Sequence, residues 1–250
     1  DIPQKDNLIY KALNKLFDKL NKNLSGIEVI EYASVPLARG LGSSATAIIG
    51  GLLGGNILLG KPLDNKELLN IALKIEKHPD NIVPALIGGL TINIYNNNNL
   101  FYKKIKVTDE LKVVLVIPDF ELKTNELRQV LPEKINFEDA VFNHSRTAFL
   151  ATCFINQEWD DLAIAMEDKI HQKYRGKLIP GFKSIFKKGY EAGAKGIALS
   201  GAGPTILAFC KKNADKIGQS MVNVFEKNGI DSHYLITTSS NQGTIVKKGR

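Results

Sequence analysis

VPLARGLGSSATA, residues 35–47, sets Gly40 and Gly42 on either side of Leu41 and follows them with Ser43, Ser44 and Ala45, where an apolar stretch begins. Permissive backbone, two hydroxyls and the start of a helix make one of two things. The first is an ordinary turn with a serine cap. The second is an anion cradle: a helix N-terminus exposes unpaired N–H groups and the positive end of the helix dipole. Gly40 and Gly42 let amides approach an anion with no Cβ in the way. Ser43 or Ser44 can cap the helix, and a hydroxyl there can also ligate Mg²⁺. One dipole contributes only about 0.3–2 kcal/mol, so several donors have to act together. The stretch is neither a Walker P-loop, having no lysine after its last glycine, nor GxGxxG.

Around it the chain reads as a mixed α and β protein. NLIYKALNKLFDKLNK (7–22) has apolar residues at helical spacing, and GIEVIEYA looks like a strand leading into the quoted loop. After Ser43 a small and apolar run holds Gly50, Gly51, Gly54 and Gly55, which in a helix implies close backbone packing. Asp64 to Glu67 resembles a capping box opening a helix that Glu76 and Pro79 end. GGLTINIYN is strand-like, with Asn96 to Asn99 as a hairpin tip. KVVLVIP (112–118) begins a second unit, followed by helices near 138–156, 158–170 and 181–192. Two short apolar runs joined by GAGP, a helix near 213–228 and a strand near 231–238 close the chain.

The 250 residues are 44% hydrophobic and 24% charged, the composition of a globular chain able to bury a core. No apolar run reaches the length of a membrane span, and the opening residues do not read as a signal peptide. Cys153 and Cys210 form neither a disulfide framework nor a metal-ligand spacing. The expected location is the reducing cytoplasm. The whole net charge of +7 is accounted for between Lys169 and Lys195, where eight basic residues face Glu191 alone. Such a segment is a solvated face, a nucleic-acid surface or an attractor of small polyanions. No zinc finger, RNP motif or basic heptad accompanies it, so no nucleic-acid partner and no membrane partner is expected.

Pro36, three further residues and then Gly40-Leu41-Gly42-Ser43-Ser44-Ala45 resemble the ATP-binding signature of the GHMP kinases at every position from 35 to 46. EKHPDNIVPALIGG (76–89) and HQKYRGKLIPGF (171–182) are similar to the branch of that family whose acceptor is L-homoserine, and ALSGAGPT (198–205) resembles its third, glycine-rich motif. The resemblance implies a two-domain α+β fold, with an S5-like N-terminal domain over residues 1–108 and a ferredoxin-like C-terminal domain over 109–250. It implies transfer of the γ-phosphoryl of ATP to the homoserine side-chain hydroxyl, on the route to threonine, often by a homodimer.

By the same resemblance Pro36, Leu37, Ala38, Arg39, Gly40, Leu41, Gly42, Ser43, Ser44, Ala45 and Thr46, with Gly201 and Gly203, would bind ATP. Ser44 and Glu76 would hold Mg²⁺, and His78, Asp80 and Asn81 would face homoserine. Asp80 suits the ammonium group and is also the nearest candidate for a base. Arg146 and Arg175 match positions that contact substrate, and two arginines can grip an α-carboxylate bidentately. Glu76, Asp80 and Arg146 form the implied catalytic set. Members of the family also carry, ahead of the position that is Asp1 here, a segment with a motif resembling P-x-x-x-N-[LI]-G. These residues hold no such motif, so the first domain is expected to be incomplete at its start. Other GHMP small-molecule kinases, and a nucleotide-binding regulator without catalysis, are the competing readings.

Overall fold

The computed structural model describes residues 7–122, Leu127 and 129–247; the opening residues 1–6 lie outside it. In order, the described elements are α1 (Leu8–Lys19), α2 (Ser43–Leu58), α3 (Asn65–Ala72), α4 (Pro79–Ile87), β1 (Leu90–Asn96), β2 (Asn99–Ile105) and β3 (Lys112–Pro118). Then come α5 (Phe137–Asn156), the single turns α6 (Leu162–Ala165) and α7 (Gln172–Arg175), α8 (Phe182–Ala192), β4 (Gly196–Leu199), β5 (Ile206–Cys210), α9 (Ala214–Lys227) and β6 (Ser232–Thr238). The chain divides into two compact units: Asp1–Val35 with Gly42–Lys106 and Ser240–Arg250, and Pro36–Leu41 with Val107–Ser239. The division falls inside the glycine-rich stretch.

In the first unit, Asn7 caps α1 by accepting from the amides of Ile9 and Tyr10 at 2.9 and 3.1 Å. Ala12, Leu13, Leu16 and Phe17 make its buried face. That face lies on α2, and the glycines of α2 are what let it. A Cβ at Gly51 would sit 2.8 Å from the Ile9 carbonyl oxygen, and one at Gly55 would sit 2.7 and 2.8 Å from the methyls of Leu16 and Leu13. Gly50 and Gly54 face open space, so close packing accounts for two of the four glycines. Asp64 and Glu67 form the expected capping box on α3, with bonds of 2.8 and 3.0 Å. α3 ends at Ala72, however, and Pro79 starts α4 rather than ending a helix. A proline at the first helical position loses no bond, because that N–H would have no partner anyway. Glu76 therefore stands in the connection between the two helices.

β1 and β2 pair antiparallel, with Asn97 and Asn98 at φ 48° and 62° in the tip. Asparagine tolerates those left-handed values, which a two-residue hairpin needs. GIEVIEYA is not a strand. No ladder partner meets it among the described residues, and Val29, Ile30 and Tyr32 stay exposed. After β6 the chain returns to the first unit. Thr244 donates from its amide and hydroxyl to the Ala85 carbonyl at 3.0 and 2.9 Å, at the C-terminal end of α4.

The second unit holds a four-stranded antiparallel sheet in the order β4–β5–β3–β6. With α8 and α9 on it, the order β3–α–β4–β5–α9–β6 is the split βαβ pattern of ferredoxin-like folds. β3 is central, which explains its unbroken apolar run: Val114, Val116 and Ile117 are buried between neighbours. The expected helix over 158–170 is broken. A short 3₁₀ turn and α6 cover Trp159–Ala165, and Asp168 then accepts from the amides of His171 and Gln172 at 2.7 and 2.6 Å. A carboxylate that bonds nearby amides in this way offers the backbone an alternative to helix. Among the described residues no helix is long and apolar enough to cross a membrane.

Gly55→Ala should destabilise the protein by about 1–3 kcal/mol, the usual cost of overpacking a filled core. Gly54→Ala, with open space at its Cβ, should instead be neutral or stabilise by up to about 1 kcal/mol. Urea unfolding of the two variants against the parent measures both.

Candidate active site

The phosphate-binding candidate begins as a loop that cannot carry side chains at its tightest point. Gly40 lies at φ +76°, and a Cβ there would meet the Ser200 carbonyl oxygen and stand 2.8 Å from that of Gly203. The turn Ser200 to Thr205 reaches this arm of the loop with two hydrogen bonds. The Ser200 hydroxyl donates to the Gly40 carbonyl at 2.8 Å, and the Thr205 amide donates to the Arg39 carbonyl at 3.3 Å. Gly201 and Gly203 thus stand against the glycine-rich loop, within the second unit. The Arg39 guanidinium, largely buried, lies 3.5 Å from both Asp119 and Glu121. Pro36 is half-buried, and Leu37 and Ala38 are exposed.

α2 starts at Ser43 behind Gly42, whose φ of +76° makes it a left-handed N-cap with no side chain to accept from the first turn. The first backbone bond of the helix runs from the Thr46 amide to the Gly42 carbonyl at 3.1 Å, and the Thr46 hydroxyl donates to the same oxygen. Among the described residues no acceptor meets the amides of Ser43, Ser44 and Ala45. Uncapped N–H groups at the positive end of a sixteen-residue helix form a receptor for negative charge. Ser44 is exposed and Ser43 half-buried.

In the same unit, α4 presents His78 as its N-cap, with Asp80 and Asn81 in its first turn, all exposed. A Cβ on Gly42 would lie 3.8 Å from the Asn81 side-chain oxygen, so the start of α2 and the start of α4 adjoin. Glu76 is half-buried just before them.

The second unit gathers another group. Arg146 on α5 lies with His171, Asp168, Asn143 and Gln172 along a cavity of about 360 Å³. The guanidinium of Arg175 is 3.4 Å from His171 Nδ1, and its Nε donates to the Leu127 carbonyl at 3.2 Å. His171 thus lines the cavity with Arg146 and touches Arg175. Sequence reasoning gave no role to His171, although it opens HQKYRG; nor to Ser200 and Thr205, which flank the glycines of ALSGAGPT. Asp168 carried no signal, since only its fold neighbours reveal what it does. Burial alone would raise the Asp168 carboxyl. The amides of Gln172 and His171, with the imidazole and the Asn143 side chain, outweigh that and hold it below the usual carboxylate range. Burial pushes the His171 imidazole below its ordinary value; Asp168 opposes this and Arg175 adds to it.

A family model described as the GHMP kinases N terminal domain matches residues 7–89, and one described as GHMP kinases C terminal matches 150–227. A homoserine kinase of Halothermothrix orenii is 55% identical over 247 residues, covering 99% of this chain and 79% of that protein. The chain belongs to the GHMP kinases. A homoserine kinase of Clostridium beijerinckii is 42% identical over 98% of this chain and 82% of its own length. Among solved structures, a homoserine kinase from Cytophaga hutchinsonii superposes with a TM-score of 0.86 at 29% identity, over 96% of this chain and 78% of that one. This member of the family thus has its two-domain α+β fold.

Asp168→Asn should cost about 1–3 kcal/mol at neutral pH, because the amide nitrogen cannot accept from Asn143 and leaves a half-buried donor unpaired. The Asp168 carboxyl is held below its unfolded value of about 3.9. Its contribution is thus complete above that value and is lost as pH falls through the folded pKa. Thermal unfolding from pH 7 to pH 2 should show a shallower acid loss in the Asn variant than in the parent.

Proposed function

We propose that this GHMP kinase is a homoserine kinase: it transfers the γ-phosphoryl of ATP to the side-chain hydroxyl of L-homoserine, giving O-phosphohomoserine for threonine synthesis. The observation that carries this reading is the 55% identity with a homoserine kinase along 99% of the chain, which includes the stretches around Asp80 and Arg175. The N-terminal ATP-binding domain is taken as residues 1–108 and the C-terminal domain as 109–250. A cytoplasmic homodimer is the assembly that family likeness supports.

The uncapped amides of Ser43, Ser44 and Ala45, with the glycine backbone from Gly40 to Gly42, receive the phosphates. Arg39 contributes through its main chain, its side chain being engaged with Asp119 and Glu121. Ser44 and Glu76 are the donors for Mg²⁺. One hydroxyl and one carboxylate suit a cation which takes one or two protein ligands and fills its octahedron with phosphate oxygens and water. Bound there, Mg²⁺ neutralises charge on the transferring phosphoryl group.

His78, Asp80 and Asn81 hold the acceptor at the start of α4, with Asp80 facing its ammonium. Arg146 and Arg175 take its carboxylate. Phosphoryl transfer needs little covalent help, so positioning and electrostatics supply most of the rate. Asp80 is the side chain in this set able to accept the hydroxyl proton.

Glu76→Gln keeps shape and removes a hard anionic ligand; turnover at saturating ATP should fall on the order of a hundredfold with an unchanged melting temperature. Near-normal activity would remove Glu76 from the metal site. Arg175→Lys keeps charge but loses the bidentate fork. The homoserine KM should rise about ten- to a hundredfold, equal to a lost charge-assisted bond of about 1.5–3 kcal/mol, with the ATP KM little changed. Were Arg175 only part of a basic surface, the substitution would be nearly silent in steady-state kinetics.

A further inference from the structure

A guanidinium has a side-on edge, Nε with Nη2, and an end-on edge, Nη1 with Nη2. In Arg146 the first is taken. Glu167 Oε2 accepts from Nε at 3.0 Å and from Nη2 at 2.7 Å. The plane of the group is set by Phe142, one helical turn earlier, whose ring centroid lies 3.2 Å from the guanidinium carbon. Among the described residues Nη1 has only a long contact to the Ser145 hydroxyl, at 3.4 Å. The end-on edge is what remains, on a side chain that lines the cavity shared with His171.

We infer that Glu167 is a positioning residue for the acceptor: it clamps Arg146 side-on, so that the end-on edge is presented to the substrate carboxylate. The inference rests on the assignment of Arg146 to that carboxylate. Glu167 is half exposed, and an ion pair so open to water adds little stability. Orientation is its use. An arginine otherwise free to rotate loses less entropy on binding when its fork is already aimed. A Glu167 that merely competed with substrate for Arg146 would have the opposite signature, since its removal would then tighten binding.

Steady-state kinetics on the intact enzyme separates these. Glu167→Ala should raise the homoserine KM about tenfold, equivalent to ~1.4 kcal/mol, while the ATP KM changes little and kcat falls less than KM rises. Glu167→Gln should raise it less, because the amide oxygen still accepts. Inhibition by aminopropanol, which has the ammonium and hydroxyl but no carboxylate, should be the same in parent and variants. A homoserine KM that is unchanged or lower in Glu167→Ala, while Arg146→Ala raises it, overturns the proposal and leaves Arg146 in the site. If Arg146→Ala itself leaves the homoserine KM unchanged, the carboxylate assignment fails and the role of Glu167 falls with it.

Discussion

The arm of the glycine-rich loop that belongs to the second unit depends on two stretches of backbone meeting without side chains between them. Gly40 lies against the Ser200–Gly203 turn so closely that a Cβ would strike carbonyl oxygens of both residues. The Ser200 hydroxyl and the Thr205 amide then tie the arm in place through main-chain carbonyls. Two residues further on, Gly42 turns the chain through a left-handed conformation into α2. Residues 40 and 42 both sit at φ +76°, where L side chains are strained. Gly40 thus meets a steric need, and Gly42 a conformational one.

The helix that follows is poorly capped by ordinary standards. Its N-cap is glycine, which offers no acceptor, and the first-turn amides stay open. A serine or aspartate N-cap in the usual extended conformation would satisfy one of them, but the left-handed backbone at position 42 keeps glycine there. The missing cap is a local conflict of the kind expected at a functional site. Stability is recovered by packing: α2 is apolar nearly all round, and Gly51 and Gly55 bring α1 against its backbone. Asn56, buried in the same helix, exchanges two hydrogen bonds with the backbone of Leu63 and fixes the exit.

Charge in the second unit is handled in two ways. The basic stretch from Lys169 to Lys195 holds most of the net charge, yet much of it is engaged. Lys173 pairs with Asp139, Lys188 with Glu191, and Lys195 with Asp160, at 2.8, 2.6 and 2.5 Å. Lys169 lies over the Phe142 ring. These are surface pairs open to water, and they shape local field more than stability. Arg175, in contrast, packs its guanidinium beside the half-buried His171, where burial and a neighbouring cation already depress the imidazole pKa.

Local chemistry carries most of the element assignment. The Asp64–Glu67 box, the Asn97–Asn98 tip, the unbroken run of β3 and the glycine-serine start of α2 are all written in consecutive residues, so they read correctly from sequence. The failures have a common cause. GIEVIEYA has strand composition, but a strand exists only when a partner completes its ladder. Pro79 can end one helix or begin the next, and only the packing of α3 and α4 decides which. The helix over 158–170 yields to Asp168, whose carboxylate finds amides and the Asn143 side chain that the fold brings to it. The sequence by itself determined the family, the glycine-serine start of α2 and the residue types proposed for phosphoryl transfer. Tertiary structure alone decided what braces them. Ser200 is 160 residues from Gly40 and Glu167 is 21 from Arg146, and hydrogen bonds across such separations leave no trace in local pattern.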